Sequence, residues 1–353
     1  MAMSGGVDSS VAAALLVEQG YDVVGVMLRL WSEVDDGRGP TNRCCALDAQ
    51  YDAERVADRL AIPFYLINLA AEFKARVVDH FAAEYAAGRT PNPCVECNRQ
   101  IRFDLLLRRA FQLEARYLAT GHYARVTCQN GRYELRRGCD HEKDQSYVLH
   151  TLGQSQLAHL LFPLGDFRKT QTREMARARG LPVADRRESQ DLCFVGDGDY
   201  RRFLSVQRPE MLQPGPIRDR AGRTLGEHRG LAFYTIGQRR GIGVTGSEPL
   251  YVLALDLDEN TLLVGPAKEL GRSVCLARHT TWVMGEPPGD VFTATAKIRY
   301  KAHDSAVTVT AIDEHTVRVT FAEVQRDVTP GQAIVFYQDD LVLGGGAISW
   351  LET

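Results

Sequence analysis

The stretch Ser4-Gly5-Gly6-Val7-Asp8-Ser9-Ser10 stands near the start of the chain, and a sequence of helical character follows it. Two adjacent glycines let the backbone approach a ligand at distances where a Cβ atom would clash. The serine hydroxyls and the unpaired N–H groups at the helix start favour an anion, as does the positive end of the helix dipole. The stretch therefore predicts a phosphate-binding loop in which Asp8 holds a Mg²⁺ ion that bridges phosphates.

This loop differs from the Walker loop because it contains no phosphate-binding lysine. It resembles the pyrophosphatase loop (PP-loop) of the N-type ATP pyrophosphatases. The resemblance implies that ATP and Mg²⁺ bind here and that ATP is cleaved between its α and β phosphates. The alternative is a simple Gly-Gly turn before a helix.

The composition is that of an ordinary globular protein, with 353 residues, 44% hydrophobic residues, 25% charged residues and a net charge of −3. A chain of this length predicts two or three domains. We expect a cytoplasmic protein that does not enter a membrane, because no apolar run could span a bilayer and no signal peptide precedes the loop. In that compartment the eight cysteines suit catalysis or metal binding better than disulfides.

The pattern up to residue 204 alternates between strands and helices, which predicts an α/β domain with a doubly wound parallel sheet. The predicted helices are 9–19, 48–60, 70–87 and 98–116, and the predicted strands are 21–28, 64–68 and 117–120. Only three residues precede the loop, where a full central strand is expected. The sequence thus predicts that this strand is incomplete and that the natural start lies upstream of Met1.

Two smaller domains are expected after this catalytic domain (1–204). Residues 205–275 are rich in proline and glycine, with a hairpin predicted around Ala221-Gly222, and they indicate a small, mostly β domain. Residues 276–353 contain short alternating strands, which predict an antiparallel β-barrel.

Two groups of cysteines suggest chemistry. Cys94 and Cys97 form a C-x-x-C between a proline turn and a predicted helix start, where a thiol becomes more nucleophilic, and Cys193 lies in a predicted loop. Half a zinc site or a redox pair is the alternative for the C-x-x-C. The remaining cysteines are an adjacent pair before a helix, Cys44-Cys45, and three that we expect to be buried and inert, Cys128, Cys139 and Cys275.

Further motifs follow the loop in a specific order along the chain. They are Arg89-Thr90-Pro91-Asn92-Pro93, Cys97-Asn98, Ala119-Thr120-Gly121-His122-Tyr123, Lys143-Asp144-Gln145-Ser146-Tyr147, Cys193-Phe194-Val195-Gly196, Gly237-Gln238-Arg239-Arg240-Gly241 and Thr329-Pro330-Gly331-Gln332. Together they resemble the bacterial tRNA-specific 2-thiouridylases, which convert the wobble uridine of certain tRNAs to 2-thiouridine. The resemblance runs from Met3 almost to the end of the chain.

This resemblance implies a two-stage reaction. O2 of the uridine at position 34 attacks the α-phosphate of ATP, which gives an adenylated base and pyrophosphate. Cys193 carries a persulfide received from a sulfur donor protein, and its terminal sulfur attacks C2 so that AMP leaves. Cys97 then attacks Cys193 and releases the sulfur, which leaves a disulfide that must be reduced. The implied substrates are tRNAs for Lys, Glu and Gln.

The resemblance also assigns binding residues by position. The implied nucleotide contacts are Ala2, Met3, Ser4, Gly5, Gly6, Val7, Asp8, Ser9, Leu28 and Gly121. The implied tRNA contacts are Asn92, Pro93, Cys94, His122, Lys143, Asp144, Gln145, Arg299, Tyr300 and Gln332, with the central domain taking part in tRNA binding. Individual members have simpler alternatives: Gly121 as a turn residue, and Arg299-Tyr300 as a solvated strand edge.

Three alternatives remain at this point. Some members of the family have aspartate where Cys94 stands, and the three thiolates of Cys94, Cys97 and Cys193 suit a [4Fe–4S] cluster, although the persulfide route is preferred. A small-molecule ATP pyrophosphatase, such as an amidotransferase-type synthetase, shares the loop but does not need Cys97 and Cys193. A non-catalytic RNA-binding or sulfur-carrier protein does not need an intact loop.

Basic residues are concentrated between Arg168 and Arg187, and Arg239-Arg240 follow later. If these side chains lie along tRNA phosphates, binding releases counterions and weakens steeply as salt is added. Filter binding of tRNA over a range of salt concentrations measures this slope. A flat response would instead indicate a solvated helix face.

Overall fold

The computed structural model describes residues 1–35, 39–40, 47–186, 192–196, 198–244, 246 and 248–351. Cys44, Cys45 and Arg187, which are named above, lie outside this part of the chain, as does the segment Ser189-Gln190-Asp191 upstream of Cys193. Among the helices described, none is both long enough and apolar enough to cross a membrane.

A parallel sheet forms the centre of the N-terminal domain. Its strands pair in parallel as Gly25–Arg29 with Phe64–Asn68 and as Leu118–Ala119 with Leu160–Leu161. Residues 1–3 run between these two pairs, bonded to Val26 on one side and to Ala119 on the other through N–H···O bonds of 2.8 Å. These three residues therefore lie where the sequence predicts an incomplete central strand.

Helices cover both faces of this sheet. Met27 belongs to the apolar core beneath helix Val7–Glu18, whereas Val26 and Leu28 pack into cores on the opposite face. This arrangement confirms the predicted doubly wound α/β fold. The other helices are Leu47–Leu60, Ala70–Phe73, Lys74–Val78, Asp79–Ala86, Pro93–Glu96, Cys97–Leu106, Leu107–Gln112, Gln154–Leu157, Lys169–Ala178 and Tyr200–Gln207, with 3₁₀ turns at Ser146–Leu149, Pro209–Met211, Leu231–Phe233 and Ala267–Glu269.

The first helix begins directly at the phosphate loop. Gly6 is its N-cap in an extended conformation and has no side chain to cap the first N–H groups. Ala12 and Ala13 are completely buried, so their small side chains let the helix pack closely against the sheet. Gly20 follows the helix with φ at 81°, a left-handed conformation that glycine adopts without strain at a helix end. The predicted limits 9–19 are therefore close to the observed ones.

The central domain contains a four-stranded sheet. Its strands are Gly215–Arg218, Thr224–His228, Leu250–Asp256 and Thr261–Pro266. The first two are antiparallel neighbours joined through Ala221-Gly222, as the sequence predicts. Their core includes the fully buried side chains of Ile217, Val252 and Leu262.

The C-terminal domain is a closed antiparallel β-barrel, which confirms the predicted architecture. Its strands are Arg272–Trp282, Val291–Lys297, Ser305–Asp313, Thr316–Gln325, Ala333–Gln338 and Leu341–Ser349. The barrel closes because the strand Arg272–Trp282 pairs with both Thr316–Gln325 and Leu341–Ser349. This first strand was not predicted. It runs across the expected domain boundary between residues 275 and 276, and the position of that boundary stays a prediction.

A hairpin that was not predicted connects the first domain to the barrel. Its strands are Ala124–Gln129 and Arg132–Arg137, and Arg136 pairs with Leu341 of the last barrel strand. The carboxylate of Asp340 accepts hydrogen bonds from Arg125 at 2.6 Å and from Arg136 at 2.5 Å. One barrel carboxylate therefore holds two arginines of the hairpin.

Replacing Asp340 by asparagine removes this shared charge while keeping the size of the side chain. We expect the unfolding midpoint to fall by about 2–4 °C, the shift that a loss of roughly 1 kcal/mol produces, measured by calorimetry. The matched control is Asp185→Asn, because the Asp185 side chain is 84% exposed and pairs with the exposed Arg177. Equal midpoints for the two variants would contradict a role of Asp340 in joining the domains.

Candidate active site

Close backbone packing leaves no room for a Cβ atom at two glycines, Gly5 in the phosphate loop and Gly121 beside it. Gly5 has φ at 67°, and a Cβ atom there would lie 2.1 Å from the carbonyl oxygen of Ala49. Gly121 follows strand Leu118–Ala119, and a Cβ atom there would lie 2.8 Å from the backbone nitrogen of Ser9. The absence of a side chain at Gly121 therefore lets its backbone approach the loop closely.

Serine hydroxyls hold the loop together from inside. The Ser4 N–H donates to Ser9 Oγ at 3.1 Å, and the Ser4 and Ser9 hydroxyls are 3.2 Å apart. The Ser10 hydroxyl donates to the Gly6 carbonyl at 2.8 Å. These bonds fix the curvature of the loop at the start of the first helix.

Asp8 is surrounded by partners from two other segments. Lys169 Nζ lies 2.7 Å from each carboxylate oxygen of Asp8, and the Tyr123 hydroxyl donates to Oδ1 at 2.8 Å. Burial raises the pKa of Tyr123, and the neighbouring Asp8 charge adds to this, so the hydroxyl keeps its proton. The loop itself has no lysine, but the fold supplies one from 161 residues away. Local sequence around the loop gave no signal for this contact.

A second cation, Arg186, stabilises the loop through a backbone carbonyl. Arg186 donates to the Gly5 carbonyl at 2.8 Å and forms an ion pair with Asp52 of helix Leu47–Leu60. This arginine therefore fixes the carbonyl of the glycine that has the left-handed backbone. It was predicted only as part of a basic stretch.

The two predicted catalytic cysteines pack against one apolar cluster. Cys97 is 7% exposed and belongs to the cluster, while Cys193 and Leu28 are partly buried and pack against it. Leu28 stands on the strand beside residues 1–3, which lead into the phosphate loop. The fold therefore brings both thiols to the same side of the sheet as a predicted nucleotide contact.

The helix that carries Cys97 starts earlier than predicted. It begins at Pro93, because the Asn92 side chain accepts hydrogen bonds from the N–H groups of Cys94 and Val95. Cys94 is thus in the first turn and exposed, whereas Cys97 lies one turn further on and begins a π-helical segment, Cys97–Leu106. The prediction of a helix start at residue 98 was wrong, and Cys94 rather than Cys97 stands at the helix N-terminus.

Aromatic packing fixes the residue after Cys193. The Phe194 ring is almost fully buried and lies 5.3 Å from Phe81, 5.4 Å from Phe203 and 6.0 Å from Phe73, measured between ring centroids. These edge-on contacts anchor the segment 192–196 in the same cluster as Cys97. The motif Cys193-Phe194-Val195-Gly196 gave no indication of this anchoring role.

One residue predicted to meet tRNA, Gln332, joins the barrel to the segment before the cysteine helix. The Gln332 side chain donates to the carbonyls of Thr90 and Pro91, at 2.9 and 3.4 Å. The Thr90 N–H donates to the Pro330 carbonyl at 2.8 Å. Gln332 therefore lies at the domain junction just before Asn92 and the buried Pro93.

The other predicted barrel contacts lie near the same junction. Arg299 donates to Thr329 Oγ1 at 2.7 Å and to the Asp327 carbonyl at 3.3 Å, and it remains partly exposed. The Tyr300 ring lies 6.2 Å from the ring of Tyr147. Arg299 thus stabilises the turn that precedes Gln332. The alternative of a solvated strand edge does not account for these contacts.

The remaining predicted tRNA contacts differ in exposure. Lys143 is half-buried, whereas Asp144 is buried and accepts bonds from the N–H groups of Gly138 and Ser146. Gln145 accepts from the Tyr123 N–H at 3.0 Å. Asp144 and Gln145 therefore hold backbone N–H groups of the turn, and Gln145 does so at Tyr123, whose hydroxyl donates to Asp8.

His122 is held inside the protein. Its Nδ1 lies 2.7 Å from Thr120 Oγ1, and its ring packs between Phe103 and Phe162. Burial lowers the pKa of His122 to about 3, with a smaller contribution from the charge of Arg102. The imidazole is thus neutral at physiological pH and brings no positive charge to a nucleic acid.

Much of the predicted basic stretch has partners within the protein. Lys169 and Arg186 serve the loop, Arg179 pairs with Glu18, and Arg202 pairs with Glu33. Among the described members of the predicted basic stretches, four are exposed, namely Arg168, Arg177, Arg239 and Arg240. Only part of the stretch is therefore available to phosphates of a ligand.

The other cysteines divide by burial. Cys275 is fully buried, and burial raises its pKa to about 12, which agrees with an inert thiol. Cys128 and Cys139 are exposed, so their predicted burial was wrong. Across the residues that the structure describes, no group of three or more His, Cys, Asp or Glu side chains is arranged to hold a metal ion.

Comparisons with protein families define the class of protein first. Residues 1–197 match the family described as tRNA methyl transferase HUP domain, and residues 201–266 match its PRC-barrel domain. Residues 272–348 match the aminomethyltransferase beta-barrel domain. The fold and the loop are thus those of a PP-loop protein with two β domains after the nucleotide domain.

Relatives identify the family more narrowly. The chain is 51% identical over 351 residues to the tRNA-specific 2-thiouridylase MnmA of Moorella thermoacetica, across 99% of this chain and 98% of the relative. It is 51% identical over 350 residues to the protein of the same name from Chloroflexus aurantiacus, across 99% and 97%. The chain therefore belongs to the family of the tRNA-specific 2-thiouridylases, as its motifs predict.

A solved structure, the U34-tRNA thiolase NcsA from Methanococcus maripaludis with its [4Fe-4S] cluster, is more distant. It is 19% identical with a TM-score of 0.34, over 59% of this chain and 65% of that chain. This likeness is too weak to say anything about the site.

Replacing Gly5 tests the loop geometry. In Gly5→Ala the methyl group meets the Ala49 carbonyl, so we expect the loop to shift and the affinity for Mg·ATP to fall at least about 10-fold, measured by calorimetry. The matched control is Gly20→Ala, because Gly20 has φ at 81° but nothing within 4 Å of its Cβ position. That control should cost about 1 kcal/mol in stability and leave ATP affinity unchanged. Equal ATP affinities in both variants would contradict the role of the close contact.

Proposed function

We propose that the protein thiolates the wobble uridine at position 34 of tRNA, using ATP and a cysteine-bound persulfide, and gives 2-thiouridine, AMP and pyrophosphate. The observation that carries this proposal is the packing of Cys97, Cys193 and Leu28 against one apolar cluster. Leu28 lies on the strand that pairs with residues 1–3, which lead into the phosphate loop. Family membership and the names of the relatives support the same reaction.

The first stage is adenylation of the base. The backbone N–H groups of the loop and the hydroxyls of Ser4 and Ser9 bind phosphate oxygens, and Asp8 is the carboxylate for Mg²⁺, which neutralises phosphate charge when bound. A single carboxylate fits this ion, because protein-bound Mg²⁺ takes most of its other ligands from phosphates and water. The bond from uridine O2 to the α-phosphorus forms as the bond to pyrophosphate breaks, and the N3 proton is released.

The second stage is sulfur transfer. The terminal sulfur of a Cys193 persulfide attacks C2, and the C2–O2 bond breaks so that O2 leaves with AMP. The Cys97 thiolate then attacks Cys193 Sγ, which breaks the sulfur–sulfur bond to the base and leaves the thiocarbonyl on the uridine. The resulting Cys97–Cys193 disulfide needs an external reductant. The shared cluster supports this exchange, because Phe194 anchors the Cys193 segment against the core that contains Cys97.

The proposed tRNA surface combines the domain junction and exposed cations. The proposed contacts at the junction are Asn92, Pro93, Cys94, Arg299, Tyr300 and Gln332. His122, Lys143, Asp144 and Gln145 complete the proposed set, and the buried His122 and Asp144 act through the shape of the site. An anticodon loop is single-stranded, so its wobble base can leave the stack at modest cost and enter a pocket. The isoacceptors for Lys, Glu and Gln, a persulfide donor protein and a cytoplasmic location are part of this proposal.

Two other activities are outcomes that the test distinguishes. A small-molecule ATP pyrophosphatase uses the loop without needing Cys97 and Cys193. The family description names methyl transfer, a reaction for which neither cysteine nor an ATP-cleaving loop is required. The two thiols at one cluster favour thiolation over both.

The central experiment incubates unmodified tRNA with the protein, Mg·ATP and a persulfide source, and analyses the anticodon nucleosides by mass spectrometry. We expect 2-thiouridine with the wild type. We expect Cys193→Ala and Cys97→Ala to lose at least about 100-fold of this product while tRNA-dependent pyrophosphate release continues, because the thiols act after adenylation.

The matched control is Cys128→Ala, which removes an exposed thiol outside the cluster and should keep full thiolation. Full activity of the Cys193 variant would contradict the proposal. Anaerobic purification addresses the iron–sulfur alternative: stoichiometric iron and labile sulfide that disappear in Cys94→Ala would replace the persulfide route.

A further inference from the structure

We propose that Lys169 is a further catalytic residue, which binds the β- and γ-phosphates of ATP and stabilises the departing pyrophosphate. This inference rests on the proposed function. The loop sequence contains no phosphate-binding lysine. Lys169, which lies 161 residues further along the chain, takes that role.

The position of Lys169 is fixed on both sides. It is the first residue of helix Lys169–Ala178, and its backbone N–H donates to Asp140 Oδ2 at 2.8 Å. Its side chain is 11% exposed, with the ammonium group 2.7 Å from both oxygens of Asp8. A cation so shielded from water acts strongly on a nearby phosphate, because its interaction is weakly screened.

The other cation that contacts the loop, Arg186, makes different contacts. Arg186 lies on the carbonyl side of Gly5 and pairs with Asp52, so its guanidinium braces the loop from behind. Lys169 instead contacts the residue in the loop that is suited to a metal ion. Of the two, Lys169 is the one placed to meet the phosphates.

Binding of Mg·ATP lets the partners exchange without leaving a buried charge unpaired. Asp8 would then hold Mg²⁺ in place of the ammonium group, and Lys169 would bind phosphate oxygens in place of the carboxylate. Tyr123 stays hydrogen-bonded to Asp8 and keeps the carboxylate oriented during the exchange. When uridine O2 bonds to the α-phosphorus, the bridging oxygen leaves with its electron pair on pyrophosphate, and Lys169 donates a hydrogen bond to that anion without transferring a proton.

Product inhibition separates this role from a structural one. In Lys169→Met we expect tRNA-dependent pyrophosphate release to slow by about 10²–10³-fold, the usual effect of removing one transition-state donor. Inhibition by added pyrophosphate should weaken at least about 10-fold, whereas inhibition by AMP stays within about 2-fold, because AMP lacks the phosphates that Lys169 binds. Lys169→Arg keeps the charge and should recover part of the pyrophosphate inhibition.

The matched control is Lys74→Met, because the Lys74 side chain is 41% exposed and pairs with Asp79. It should leave both inhibition constants unchanged. If Lys169→Met does not fold, Lys169→Gln provides a neutral side chain that still donates a hydrogen bond to Asp8.

Unchanged pyrophosphate inhibition in a folded neutral variant would overturn the proposal, as would an equal loss of pyrophosphate and AMP inhibition, which indicates collapse of the loop. Failure of the proposed function is recognised separately, because the wild type would then make no 2-thiouridine. In that event, direct calorimetric binding of pyrophosphate to the wild type and the variants decides the role of Lys169.

Discussion

Close backbone packing at the phosphate loop is the constraint on which the site depends. The Gly5 backbone lies against the Ala49 carbonyl, and Gly121 lies against Ser9, with no room for a Cβ atom at either glycine. Because neighbouring elements fix the shape of the loop, its N–H groups are oriented before a ligand binds. Such preorganisation lets the loop bind phosphate without a large reorganisation cost.

Charges around the loop follow from the same packing. Lys169 and Arg186 come from opposite ends of one segment, and both contact the loop, one at Asp8 and the other at the Gly5 carbonyl. Part of what looks like a nucleic-acid-binding cluster in the sequence is therefore a support for the nucleotide site. The site therefore has cations that contact the loop although the net charge of the protein is −3.

The junction between the barrel and the first domain also positions the cysteine helix. Gln332 and Arg299 hold backbone around Thr90 and Thr329, immediately before the Asn92 cap of the cysteine helix. The barrel thus positions the helix that carries Cys94 and Cys97. Residues that hold this junction lie close to the proposed pocket for the base, so the roles of domain contact and tRNA contact are compatible.

The sequence by itself determined the parallel sheet, the phosphate loop and the family, because periodicity, glycine spacing and motif order are local properties of the chain. It did not determine the barrel strand Arg272–Trp282, whose pairing depends on strands far along the chain, or the exposure of Cys128. The helix start at Pro93 depended on a side-chain cap. Only the tertiary structure brought Lys169 to Asp8, because a contact across 161 residues is set by packing and leaves no local pattern.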